Sequence, residues 1–279
     1  MTDSADIKDL IRSRYGSIAA GAATTCCAPA ASRCAPAPGA STSGVSTSGG
    51  LTSGDEENAK ARRMGYSDAE LAAIPSGANL GLGCGNPQAI AALIPGETVV
   101  DLGSGAGFDC FLAARQVGEA GHVIGVDMTH EMLSKARANA AAIGAANTEF
   151  RLGELEHLPI ADGTADVILS NCVINLVPDK RQVFREAFRV LRRGGRLAIS
   201  DVINTAPLSE DLHSDPTLIC GCVSGAATSA RIEAWLVEAG FVAIAVTPKP
   251  ESREMIASWA PGRHVEDFVL SATIEARKP

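Results

Sequence analysis

The sequence predicts an α/β protein built on a doubly wound, mostly parallel sheet, with a flexible N-terminal arm and a C-terminal extension. Two observations carry this expectation. From Thr98 onward, short β-branched runs alternate with helical segments of crossover length. Strands alternating with helices of this length imply a mostly parallel sheet covered on both faces. One of them, Val99-Val-Asp-Leu, leads directly into a glycine-rich turn and then a helix.

In chain order, Asp6 to Ala20 places Ile7, Leu10, Ile11 and Ile18 at helical intervals and reads as a short amphipathic helix. It forms an N-terminal arm, residues 1–25. From Ala28 to Gly54 all but Arg33, Cys34, Val45 and Leu51 are Ala, Gly, Pro, Ser or Thr, and STSG occurs twice. Such a segment buries too little apolar surface to offset its ordering entropy, so residues 26–54 are expected to be a flexible linker. Order resumes at Asp55. Ser67 and Glu70 have capping-box spacing, which starts a short helix ending before Pro75. Asn79 to Pro87 (NLGLGCGNP) is too glycine-rich for an element and becomes a loop presenting Cys84.

The expected strands are Thr98–Leu102, His122–Asp127, Thr148–Leu152, Asp166–Ser170, Arg196–Asp201 and Val242–Thr247. The expected helices are Phe108–Val117, His130–Ile143, Lys180–Leu191 and Ser229–Ala239. The Lys180 helix carries Val183, Phe184, Ala187, Val190 and Leu191 on one face, with Arg192 and Arg193 in its last turn and Gly194-Gly195 as its stop. His264–Glu275 adds a last strand. Residues 55–200 are read as the cofactor-binding core and 201–279 as the remainder of the sheet. The stretch Asp201–Ser229 has helix signals interrupted by Pro207, Pro216 and glycines.

Composition narrows the function classes. The 279 residues hold 24 Lys+Arg against 32 Asp+Glu, a net charge of −8, so a basic nucleic-acid surface is not expected. With 46% hydrophobic and 20% charged residues the chain is globular in composition. No stretch approaches the roughly 20 apolar residues of a membrane span. Asp3, Asp6 and Asp9 near the start rule against an export signal, which gives a cytoplasmic expectation.

The eight cysteines are Cys26, Cys27, Cys34, Cys84, Cys110, Cys172, Cys220 and Cys222. In a reducing compartment disulfides are disfavoured, and without paired CxxC knuckles no structural zinc site is expected. Cys110 lies beside Phe111 and Leu112 in the first crossover helix and reads as a small core residue.

Asp101, Gly103, Gly105 and Gly107 belong to a turn of the pattern G-x-G-x-G, in which missing Cβ atoms let a ligand approach the main chain. The dinucleotide pattern G-x-G-x-x-G fails, because its third glycine would fall on Phe108. Asp127, at the end of the next strand, is placed to accept hydrogen bonds from ribose hydroxyls. The combination resembles the class I S-adenosylmethionine-dependent methyltransferases, of Rossmann-like fold. That resemblance implies that the glycine turn holds the amino acid part of the cofactor, that Asp127 binds ribose and that Met128 flanks adenine. Leu155 and Glu156, after the third strand, fall where the family contacts adenine. Asn171, at the mouth of the crevice, is placed with the cofactor-binding residues.

The acceptor must come from the site rather than the fold. Crevices of such sheets open outside the carboxyl ends of the strands, so Cys172, right after Asp166–Ser170, belongs at the opening. Cys84, on the preceding loop, and Cys222, beyond the strand Arg196–Asp201, can converge there. Converging thiolates prefer a thiophilic centre. Trivalent arsenic held by sulfur keeps a lone pair and has no proton to lose, so it needs no general base.

NLGLGCGNP, VVDLGSGAGFDCFLAA, VIGVDMT, SNCVINL and GCVSGA, with RSRYGSIA near the start, resemble the corresponding blocks of arsenite S-adenosylmethionine methyltransferases. The resemblance implies that Cys84, Cys172 and Cys222 bind arsenic. Cys222 is chosen over Cys220 by motif match alone. Cys26 and Cys27 resemble the family's N-terminal cysteine region, although the long linker departs from its tighter spacing. The implied substrates are arsenite or its thiol conjugates, with a glutathione- or thioredoxin-type reductant and no metal cofactor. Two other readings stay open: a C-methyltransferase acting on a quinone-type ring, and a non-enzymatic arsenic or metal sensor.

Overall fold

A computed structural model of the chain describes residues 4–21 and 53–279. Cys26, Cys27, Cys34 and nearly all of the expected linker lie outside the described residues.

The N-terminal helix α1, Ser4–Ala19, and helix α2, Ser53–Arg63, precede the sheet. Short helices α3, Asp68–Ala72, and α4, Gln88–Ala91, follow. Next come β1 (Thr98–Leu102), α5 (Phe108–Val117), β2 (His122–Asp127), α6 (His130–Ile143), β3 (Thr148–Leu152) and β4 (Ala165–Asn171). After α7 (Lys180–Val190) and β5 (Leu191–Asn204) the chain forms α8 (Glu210–His213), α9 (Pro216–Cys220), β6 (Ala227–Thr228) and α10 (Ser229–Ala239). Strand β7 (Val242–Lys249), α11 (Arg253–Ala257) and β8 (Val269–Arg277) complete it.

The strand order is β3-β2-β1-β4-β5-β8-β7, with β6 beside the end of β5. Strands β1 to β5 pair in parallel, while β8 runs antiparallel between β5 and β7. The expected mostly parallel, doubly wound sheet is what forms. Side-chain alternation divides its two faces. On β1, Val99 joins Phe111 of α5 and Leu133 of α6 in one apolar layer; Val100 joins Phe184 of α7 and Leu236 of α10 in the other. A third cluster gathers Ile11, Cys84, Cys220, Cys222 and Ile256 beyond the strand ends.

Most expected boundaries hold, and the capping box at Ser67 and Glu70 forms. Four details differ. The Lys180 helix stops at Val190, because Leu191 already pairs with Ala165. Arg192 and Arg193 therefore belong to β5, in a bulge before Val167 pairs with Arg196, and Arg192 turns to an ion pair with Asp166. Strand β5 continues to Asn204, across the expected division at residue 200. The last strand begins at Val269 rather than His264, since Val265–Asp267 forms a turn of 3-10 helix. Finally, the N-terminal helix is a docked element rather than a free arm: α1 packs against α6 and α9, and α2 begins two residues inside the expected linker.

Candidate active site

The loops after β1, β2, β3 and β4 open on one cavity of about 620 Å³, within the range typical of small-molecule sites. Gly103 and Gly105 turn with φ of +73° and +52°. The amides of Gly103 and Ser104 both donate to the Val126 carbonyl, at 2.8 and 3.1 Å, which ties the turn to the end of β2. A Cβ on Gly103 would meet Val173 Cγ2 at 2.4 Å, so no other residue fits there. Gly107 caps α5 and does not line the cavity; it shapes the turn instead.

Asp127 lines the cavity from the end of β2. Its Oδ2 accepts from Gly105 N at 3.0 Å and its Oδ1 from Thr129 N at 2.8 Å. Burial raises its pKa, while the backbone donors of Thr129 and Gly105 pull the other way. Met128, Leu155 and Glu156 line the same space. Ser104 lines the cavity, while its Oγ is buried on the Gly125 side of the turn without a hydrogen-bond partner among the described residues. Asp101 is 3% exposed and accepts from Cys110 Sγ at 3.2 Å. Burial and then the neighbouring Asp109 push its pKa well up. Cys110 itself is fully buried in the core, as expected.

Asn171 lines the cavity, but its side chain is engaged within the protein. Its Nδ2 donates to Gly85 O at 2.8 Å and to Tyr66 Oη at 3.0 Å, and its Oδ1 accepts from Cys84 N at 3.1 Å. Tyr66 in turn donates to Asp109 Oδ1 at 2.8 Å. This network fixes the Cys84 loop against the start of α5.

The thiols meet at the cavity's far side. Cys172, on the turn after β4, donates its amide to Ser200 O at 2.8 Å. Cys222 follows α9, and its Sγ donates to the Cys172 carbonyl at 2.9 Å. Both have left-handed backbones, φ +57° and +63°, an arrangement that costs a non-glycine residue roughly 1–3 kcal/mol and concentrates at functional sites. Hydrogen bonding with the Cys222 and Cys84 thiols, and then burial, push the Cys172 pKa well above the usual thiol range. Cys84 is 2% exposed and does not itself line the cavity, although its neighbours Leu82 and Gly83 do; its sulfur lies within 4.8 Å of that of Cys172. Cys220, also buried, does not reach the cavity lining.

Two features were missed in sequence. Asp201 lies beside the thiols: its carboxylate and the sulfurs of Cys84 and Cys172 are all within 4.8 Å of one another. It is held by Ile174 N at 2.9 Å, Asn175 Nδ2 at 2.9 Å and Val202 N at 2.7 Å, and burial pushes its pKa up to about 6. Its place at the end of an expected strand was the available signal. The second is α1, which contributes Lys8, Ile11 and Tyr15 to the cavity wall. Lys8 Nζ bridges Glu154 at 2.6 Å and Glu156 at 2.9 Å, and Tyr15 Oη donates to Cys220 O at 2.9 Å. Helix α1 thus spans from the expected adenine side to the thiol side.

A protein-family model described as "Methyltransferase domain" matches residues 93–240, more than half of the 279-residue chain. With the sheet order and the glycine turn, this defines a class I S-adenosylmethionine-dependent methyltransferase. An arsenite methyltransferase of Halobacterium salinarum is 51% identical over 277 residues, 99% of this chain and 68% of that protein. The chain belongs to the arsenite methyltransferase family. An arsenite methyltransferase of Aquipseudomonas alcaligenes is 48% identical over 52% of this chain, which spans 43% of that longer relative. The crystal structure of an arsenic(III) S-adenosylmethionine methyltransferase from Chlamydomonas reinhardtii superposes with a TM-score of 0.57 at 30% identity, covering 79% of this chain and 73% of the other.

Proposed function

We propose that the protein transfers methyl groups from S-adenosylmethionine to trivalent arsenic held by Cys84, Cys172 and Cys222, giving methylated arsenicals and S-adenosylhomocysteine. The observation that carries this reading is that Cys172 and Cys222 line the cavity that the glycine turn opens, joined by the hydrogen bond from the Cys222 thiol to the Cys172 carbonyl, with the buried Cys84 sulfur within 4.8 Å of that of Cys172.

The cavity's chemistry fits S-adenosylmethionine. The turn at Gly103 and Gly105 lines the cavity and leaves main chain bare toward the amino acid part. Asp127 keeps acceptor capacity for ribose, since each carboxylate oxygen has a second lone pair. Met128 and Leu155 offer apolar faces to adenine, and Glu156 a carboxylate held in place by Lys8. S-adenosylmethionine supplies a methyl group on a sulfonium sulfur, an electrophile that needs only a correctly placed nucleophile.

Arsenite enters as a hydroxide, and each neutral thiol exchanges for one hydroxide with release of water. The high Cys172 pKa is therefore compatible with loading, because the thiol proton leaves on the departing oxygen. The arsenic lone pair then forms the As–C bond as the methyl–sulfur bond breaks, the electron pair going to sulfur. No proton is lost from the acceptor, so the transfer requires no general base. A quinone-ring carbon would need such a base. The protein's contribution is to hold nucleophile and methyl group in line and to exclude water, worth several kcal/mol in general.

A glutathione- or thioredoxin-type reductant in a cytoplasmic setting would keep the thiols and the arsenic reduced. Cys26 and Cys27 would carry arsenic toward the site. Among the described residues no helix is long and apolar enough to cross a membrane. The test is to count protected thiols on adding arsenite: the reading expects Cys84, Cys172 and Cys222 to be shielded and Cys110 to be unchanged. A protection pattern that spares Cys172 would overturn it.

A further inference from the structure

The donor set around Cys172 is richer than trivalent arsenic requires. Arsenic(III) takes three sulfurs in a pyramid and fills its remaining direction with a lone pair. Here a buried carboxylate adjoins the thiols as well. Asp201 is 2% exposed, and its carboxylate lies within 4.8 Å of the sulfurs of both Cys84 and Cys172. Three backbone or amide donors, from Ile174, Asn175 and Val202, hold it in place. Cys222 is hydrogen-bonded to the Cys172 carbonyl and lies outside this group of mutually close donors. Three donors thus arrive from three separate segments: the loop before β1, the turn after β4 and β5.

We propose that Cys84, Cys172 and Asp201 form a three-donor site for a divalent d10 cation such as zinc or cadmium, with a solvent oxygen as its fourth ligand, which overlaps the arsenic position and so inhibits the enzyme. Such ions take four ligands tetrahedrally and accept sulfur and carboxylate oxygen together. On binding, the ligating thiols release their protons to solvent and no redox change occurs. Desolvation works against the charge of the half-buried Lys180, but Asp201 and Cys222 lie close enough to favour it, and that charge offsets part of the negative charge gathered by the ligands. The cation is a competitor, not a cofactor, because a divalent d10 ion, unlike arsenic(III), has no lone pair to attack carbon. The inference rests on the assignment of these thiols to arsenic made above.

The full chain, reduced and free of arsenic and S-adenosylmethionine, is titrated with cadmium chloride while thiolate-to-cadmium absorption is followed. The wild type is expected to take up about one equivalent that Cys172→Ser does not, and Asp201→Asn to weaken that equivalent at least about tenfold more than it weakens arsenite binding. Cadmium NMR of the wild-type chain gives a reading that needs no variant: a resonance in the range of mixed sulfur and oxygen donors supports the site. Cadmium uptake unchanged in Cys172→Ser, a purely thiolate resonance, or equal weakening of cadmium and arsenite in Asp201→Asn would each overturn it. Methylation of arsenite in metal-free buffer tests the arsenic assignment separately. A chain that binds cadmium with these donors but leaves arsenite unmethylated contradicts that assignment and leaves the cation site standing.

Discussion

Cys222 and Cys172, fifty residues apart in sequence, are joined by a 2.9 Å hydrogen bond from the Cys222 thiol to the Cys172 carbonyl, and both adopt left-handed backbones. Two turns held against their conformational preference point their thiols to one place. Cys172→Ser keeps the size and hydrogen-bonding capacity of the side chain but removes the thiophilic ligand. Methyl transfer to arsenic is expected to fall at least about a hundredfold, a loss of roughly 2.7 kcal/mol or more. S-adenosylmethionine affinity should change less than about threefold by calorimetry, since Cys172 is not proposed to hold the cofactor. Full activity in this variant would show that arsenic is held elsewhere.

Asp127 both accepts from the Gly105 amide and faces the cavity. Asp127→Ala removes a ribose acceptor and loosens the turn together. Cofactor binding should weaken by roughly 1.5–3 kcal/mol, the worth of a hydrogen bond to a charged group. A dissociation constant equal to that of the wild type would remove Asp127 from the ribose site.

Lys8 links α1 to the loop after β3. Its side chain is 18% exposed and that of Glu156 is 9% exposed, so the pair is shielded but not dry. Burial opposes the Lys8 charge, yet Glu154 and Glu156 outweigh it and its pKa is raised. Lys8→Met leaves Glu156 buried without its cation and is expected to destabilise by roughly 1–2 kcal/mol, below the cost for a fully buried pair. Adding Glu156→Gln should recover part of this in urea denaturation. A double variant less stable by the plain sum of the single losses would mean the two residues are uncoupled.

Asp109 gives a pH-dependent prediction. Burial pushes its pKa up to about 6, despite hydrogen bonds from Tyr66, Asn171 and Gln88. The folded state therefore holds a proton more tightly than the unfolded chain, whose aspartates titrate near pH 3.9. Its stabilising contribution is fully present below about pH 4 and is lost as the pH rises through about 6. Asp109→Asn, which cannot ionise, should show a flatter stability profile across that window. A profile running parallel to that of the wild type would exclude Asp109 as its source.

The sheet was legible because its short strands are set between helices of crossover length, and its alternation assigns Val99 and Val100 to opposite faces. The glycine turn and Asp127 were legible for a related reason: they stand at strand ends, where the topology opens a crevice. Asp201 stands at a strand end too, but a lone aspartate announces nothing until Cys84 and Cys172 are seen beside it. The contribution of α1 was hidden because Lys8 meets Glu154 and Glu156 only through tertiary packing, nearly 150 residues along the chain. Asn171 shows the converse. Its position at the crevice suggested a cofactor contact, whereas its amide is engaged with Tyr66, Gly85 and the Cys84 amide. The stretch after Asp201 was opaque since its helices are short and begin at Ser209 and Asp215 caps separated by turns.

The most direct measurement incubates the purified full chain with methyl-labelled S-adenosylmethionine, excess thiol and arsenite, and follows label into arsenic species by chromatography. The account predicts labelled methylarsenicals that require arsenite and disappear in Cys172→Ser. Arsenic species carrying no label above a protein-free control would contradict it.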